Sequence, residues 1–144
     1  MNFNDCVCEN ILTETGEKDS NKAKELFAFA QHKLLFWNEV EEKSQKYPSL
    51  FLEGHYEIIK ELIMAILALE GWICSNHECL FQYLTEKKPE LEVDFKYLDE
   101  FRKLRNKIDY HGTKVSTTLW EQNKLKIQIT IKTLIEYVKK RVAD

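Results

Sequence analysis

A chain of 144 residues, 44% hydrophobic and 31% charged, suits one domain with one core and is too apolar to stay disordered. Only four Gly and two Pro punctuate it, which excludes a sandwich or barrel of many short strands. The net charge of −3 is unevenly spread: residues 1–101 hold 10 Lys/Arg against 20 Asp/Glu, and residues 102–144 hold 11 against 4, so the basic last third could face a phosphate backbone, with solvated lysines on amphipathic helices as the plain alternative.

Residues 1–18 show no clear period, and residues 1–19 are expected to form a partly ordered tail before a folded domain over residues 20–144. Met1 to Ser20 lacks the apolar core of a signal peptide. The longest apolar run, Leu62 to Leu69, is too short to span a bilayer. A soluble, cytoplasmic protein with no membrane association is therefore expected.

Ser20 is placed to cap a first helix, in which Leu26, Phe27, Ala30, Leu34, Trp37 and Val40 recur at helical spacing. The charged run Glu39 to Lys46 and then Tyr47-Pro48 end it. A second helix begins within residues 49–53. From Tyr56 to Ile73 almost every position is apolar, which predicts burial on most sides at the centre of a bundle. Ser75-Asn76-His77-Glu78 reads as a capping box for a short third helix over residues 76–85. Pro89 breaks the chain.

Asp94 caps a fourth helix through about Tyr110, with Phe95, Leu98, Phe101, Leu104 and Ile108 on its apolar side and Gly112 as its stop. Thr118-Leu119-Trp120-Glu121 reads as another capping box, opening a last helix to about Arg141. Within it Leu125, Ile127, Ile129 and Ile131 alternate with polar residues as in a strand. Ile127, Ile131, Leu134 and Val138 fall at helical spacing, and helix is expected. The predicted fold class is all-α, a five-helix antiparallel bundle.

Cys6, Cys8, Cys74 and Cys79 are expected as reduced thiols, with Cys74 in the core. Their CxC and CxxxxC spacings are not those of zinc sites; a zinc site from these four with His77 is the alternative. His77 is expected to make local hydrogen bonds, and His32 and His55 to be solvated. Trp37, Trp72 and Trp120 fall at apolar helical positions and are expected in the core.

The segment Arg105-Asn106-Lys107-Ile108-Asp109-Tyr110-His111 carries the residue types for chemistry on a phosphate. Arg105 and His111 lie about 120° apart in azimuth and about 9 Å apart in height on a straight helix, flanking Ile108, so long side chains could converge on one phosphate. Asn106 can orient a neighbour or bond a phosphate oxygen. Asp109 is placed to pair with Arg105 four residues before it. The plain alternative is an Arg105–Asp109 surface pair with His111 as a cation at a helix C-terminus.

This segment resembles the motif of HEPN-domain ribonucleases, an Arg followed after four to six residues by a His, often with Asn directly after the Arg. Tyr56 to Leu84, including Leu69-Glu70-Gly71-Trp72 and Ser75-Asn76-His77-Glu78, is similar to the second and third helices of that family, and Leu98 to Gly112 to the fourth. The resemblance implies a HEPN-type bundle and metal-independent cleavage of RNA, with no cofactor and no metal. Arg105 would stabilise the transition state and His111 would act as general base or acid. Asn106, Asp109, Tyr110, Arg102 and Lys107 would position the groups or contact RNA. Many catalytic members have four residues between Arg and His, which puts Tyr110 at the histidine position, so both registers stay open. The resemblance further implies a homodimer with a composite site, and a toxin held by a nucleotidyltransferase-type antitoxin. Its other form is a non-catalytic HEPN module that binds RNA, a nucleotide or such a partner.

Overall fold

The computed structural model describes residues 1–112 and 114–143; the expected end of the domain, residue 144, lies outside them. The described residues form six α-helices and one two-stranded sheet: α1 Phe3–Cys8, β1 Leu12–Glu14, α2 Ser20–Glu39, α3 Pro48–Glu70, β2 Trp72–Cys74, α4 His77–Lys87, α5 Phe95–His111 and α6 Thr117–Val142. Short 3-10 turns at Glu41–Lys43 and Pro89–Leu91 precede α3 and α5. No helix among them is long and apolar enough to cross a membrane.

The helix at the centre is α3, flanked by α2 and α6 and closed by α4 and α5. Its Ile58, Ile59, Leu62, Ile63 and Ile66 are fully buried, as the continuous apolar run predicts. Each such side chain contributes about 2 kcal/mol by leaving water. Gly71 ends α3 in the left-handed region at φ 77°, and its carbonyl accepts the backbone N–H of Thr15 at 2.7 Å. A Cβ there would lie 3.2 Å from the Glu17 backbone, so glycine serves both the turn and the close approach.

The expected tail is instead folded onto the bundle. Asn2 and Asp5 form a capping box for α1, and β1 pairs antiparallel with β2, Leu12 opposite Cys74. Leu12 and Cys6 are fully buried. Three-residue strands and a six-residue helix are too short for a periodic signal, which is why the pattern misses them. The described residues therefore form six helices where five were expected.

The thiol expectation is overturned for Cys6 and Cys79 and holds for Cys8 and Cys74. Cys6 and Cys79 form a disulfide that ties α1 to α4, a pairing that oxidising surroundings favour. Neither sulfur is then free as a zinc ligand. Cys8 is exposed, and Cys74 is half-buried and donates to the Asn76 carbonyl at 3.0 Å, not a core residue. Burial pushes its thiol above the ordinary range.

Helix starts shift by a residue or two. Asp19 caps α2 in place of Ser20, Asn76 caps α4 by accepting the Cys79 N–H at 2.8 Å, and Ser116 caps α6. Residues 125–131 are helical, with Ile127 and Ile131 buried and Leu125 and Ile129 exposed. His55, expected in solvent, is buried among Trp37, Phe51 and Trp120. Its Nδ1 lies 2.6 Å from the Phe51 carbonyl, and burial holds its imidazole below the usual 6.5.

Candidate functional site

Helix α5 presents two faces because apolar residues recur along one side. Leu98 and Phe101 are buried, and Leu104 and Ile108 pack half-buried against the core. Arg102, Arg105, Asn106, Asp109 and Tyr110, spaced three and four apart, fall on the other face. Asp94 starts the helix by accepting the Tyr97 N–H, and Gly112 stops it at φ 61°.

That polar face meets the start of α4. Ser75, Asn76, His77 and Glu78 on one side and Arg102, Arg105, Asn106 and Tyr110 on the other line a solvent-open groove of about 360 Å³. The first N–H groups of α4 have no partner within their own helix and carry the positive end of its dipole, which favours an anion at this end.

Arg105 is held from two sides. Its Nη2 donates to Glu57 at 3.3 Å and its Nε pairs with Asp109 at 2.9 Å, the pairing its spacing predicts. The guanidinium also lies 5.6 Å from the centre of the Tyr56 ring. Arg102 donates from Nε and Nη2 to Asp99, at 2.9 and 2.8 Å. Burial works against the Asp99 carboxylate, yet the bonds from Arg102 and Lys103 hold its carboxyl below the ordinary range. Both arginines are thus oriented, at the cost of partly neutralised charge.

A second cavity, of about 240 Å³, lies behind Arg105 and is lined by Trp37, Leu50, Glu53, Gly54, Glu57 and Asp109. Gly54 is required there because the Trp37 indole occupies the space a Cβ would take. Burial, then a hydrogen bond shared with Asp109 and the charge of Asp109, push the Glu53 carboxyl up to about 7, against the opposing charge of Arg105. Glu53 therefore keeps its proton well above the usual carboxylate range and is about half-protonated near pH 7. A larger cavity lies elsewhere, where Lys88 pairs with Glu70 at 2.6 Å and Arg141 stacks over Tyr137.

His77 enters the groove from the first residue of α4. Its Nδ1 lies 2.8 Å from the hydroxyl of Tyr56, a fully buried residue of α3. Burial pushes its imidazole below the usual 6.5, aided by Lys60 and Arg105.

Three expected residues do not join the groove: His111, Lys107 and Asp109, the last of which lines the cavity behind Arg105 instead. His111 is exposed and lines neither cavity at Arg105. It follows Leu104 and Ile108 by seven and three residues, so it continues the apolar face and points about 120° away from Arg105. Within one chain the expected convergence of Arg105 and His111 is therefore not formed. Lys107 is exposed and also lines neither cavity. Tyr110 lines the groove with 74% of its surface exposed.

Glu53, Glu57 and Tyr56 were missed as site residues by sequence reasoning. They lie one helical turn apart on α3, whose apolar run signals only the core. No family model, curated protein or solved structure compared with the chain matches it.

Proposed function

We propose that this chain is an RNA-acting protein of HEPN type that holds a phosphodiester in the α4–α5 groove and cleaves it without a metal ion. One observation carries the reading: Arg105 and Asn106 of the motif share an open groove with Arg102, Tyr110 and the N-terminus of α4. Oriented guanidinium forks and helix N–H groups suit a diester and the charge it gains in the transition state. Arg105 is the stabiliser of that charge, Asn106 and Tyr110 position the phosphate, and Arg102 and Lys107 contact neighbouring RNA.

In this reading His111 reaches the groove of a second copy. The protein is then a homodimer in which each groove combines Arg105 of one chain with His111 of the other. A toxin restrained by a nucleotidyltransferase-type antitoxin is the setting that the resemblance implies.

The second reading is a non-catalytic HEPN module that binds RNA, a nucleotide or a partner protein. The placement of His111 outside its own chain's groove favours it. Incubation of single-stranded RNA with purified protein and excess EDTA separates the two. The first expects 2′,3′-cyclic phosphate ends and a loss of at least ~100-fold in Arg105→Ala. Binding without cleavage establishes the second, and neither binding nor cleavage removes both.

A further inference from the structure

Attack of a ribose 2′-hydroxyl on its phosphodiester moves two protons. One leaves the 2′-oxygen and one joins the departing 5′-oxygen. The Arg105–His111 motif supplies a single histidine for these two transfers. The groove holds another, and that one is fixed within the same chain as Arg105.

We propose that His77 is the general base of this site, taking the 2′-hydroxyl proton on Nε2 while Nδ1–H donates to the Tyr56 oxygen. The inference rests on the ribonuclease reading above. In the step itself the O2′–P bond forms and the P–O5′ bond breaks. The 2′ proton goes to His77 Nε2 and later to water. The 5′-oxygen takes the proton carried by His111 of the second copy. The products are a 2′,3′-cyclic phosphate and a 5′-hydroxyl.

Geometry carries the assignment. His77 lines the groove opposite Arg105 and Asn106, and its Nδ1 is engaged 2.8 Å from Tyr56, which leaves Nε2 as the nitrogen for a ligand. The Tyr56 and His77 rings are tilted against each other at 5.6 Å between centroids, so the imidazole is held by packing as well as by the bond. Tyr56 is buried, and burial raises its hydroxyl above the ordinary range, so it stays neutral as a partner.

The surroundings agree with a base. Lys60 of α3 and Arg105 and Arg102 of α5 disfavour a charged His77, and Glu57 of α3 favours it. Glu78 follows it on α4 and pairs with the Met1 amine at 3.2 Å. The N-terminal end of α4 also disfavours an imidazolium. Burial is the largest influence, and the balance leaves the ring neutral near pH 7, as a base must be.

The test pairs kinetics with a ligand that cannot react. His77→Asn keeps a polar group at the Nδ1 position and lacks Nε2, and thermal melting checks that it is folded. Turnover of single-stranded RNA is expected to fall at least ~100-fold with KM changed less than about threefold, and the acid limb of the kcat–pH profile is expected to disappear. In the wild type, a 2′-deoxy oligonucleotide is expected to shift the His77 ring resonances in NMR. Wild-type turnover and pH profile in His77→Asn, beside an inactive Arg105→Ala, overturn the assignment and leave the ribonuclease reading standing. Unmoved His77 resonances at saturating oligonucleotide overturn it as well. A wild type that cleaves no RNA removes both.

Discussion

The Tyr56 hydroxyl and the His77 imidazole meet at 2.8 Å across the contact between α3 and α4, at the edge of the groove that holds Arg105. A tyrosine fully buried in the central helix thereby sets the orientation of a half-buried histidine on a short one. Tyr56→Phe keeps the ring and deletes only this bond. The expected outcome is a folded protein less stable by about 1 kcal/mol, the usual worth of a hydrogen bond. If His77 acts on substrate, turnover falls while the Arg105 contacts persist. Chemical denaturation and RNA turnover, measured side by side, check the two effects.

Glu53 makes stability depend on pH in the opposite sense to most carboxylates. Its carboxyl is pushed up from 4.5 to about 7, so the folded state keeps a proton that the unfolded chain gives up. The stabilisation is complete below about 4.5 and is lost as pH rises through about 7. Glu53→Gln supplies a neutral partner to Asp109 at every pH. It is expected to raise the melting temperature at about pH 8 and to leave it nearly unchanged at about pH 4, below the unfolded value of 4.5. An equal change at both pH values would show that Glu53 and Asp109 share no proton. His55 and His77 act on the acid side, since both are held below 6.5 and their contribution is lost as pH falls beneath that value.

Long elements were legible in the sequence because periodicity accumulates with length. The run from Tyr56 predicted the buried α3, and Leu98, Phe101, Leu104 and Ile108 predicted the inner face of α5. The Arg105–Asp109 pair also followed from spacing alone, because four residues on a helix are neighbours. What was not legible depends on tertiary contact. The Cys6–Cys79 bond spans 73 residues, and neither cysteine sits in a recognisable framework. His55 has charged and polar neighbours in sequence, yet its burial comes from Trp37 on α2 and Trp120 on α6. The groove's histidine was misread for the same reason: its decisive partner, Tyr56, lies 21 positions earlier on another helix.

The disulfide is expected to carry a large share of the fold's stability. Closing a loop of 73 residues is worth about 4 kcal/mol in the chain-entropy account. It also anchors the start of the chain, where the Met1 amine pairs with Glu78 at 3.2 Å and Gln82 donates to the Met1 carbonyl at 2.7 Å. Denaturant titration of the wild type with and without reductant, beside the double Cys6→Ser, Cys79→Ser variant, measures the contribution. Stability unchanged in both would show that Leu12 and the β1–β2 pairing hold the N-terminal segment unaided.

Arg105 and His111 diverge by about 120° on one helix, so the proposed pairing of the two across a homodimer can be tested directly. If each groove combines Arg105 of one chain with His111 of another, Arg105→Ala and His111→Ala are both inactive as homodimers. A mixed dimer is different. It holds one groove with Arg105 and His111 both intact and one groove with neither. Random exchange of an equal mixture makes half of the dimers mixed, each with one of two grooves restored, so activity recovers to about a quarter of the wild-type value. The measurement is RNA turnover after the two variants are unfolded together and refolded, with light scattering to confirm the dimer. Mixing without recovery would place both residues in one chain or His111 outside the chemistry. A monomer at micromolar concentration would remove the composite groove altogether, and with it the role of His111.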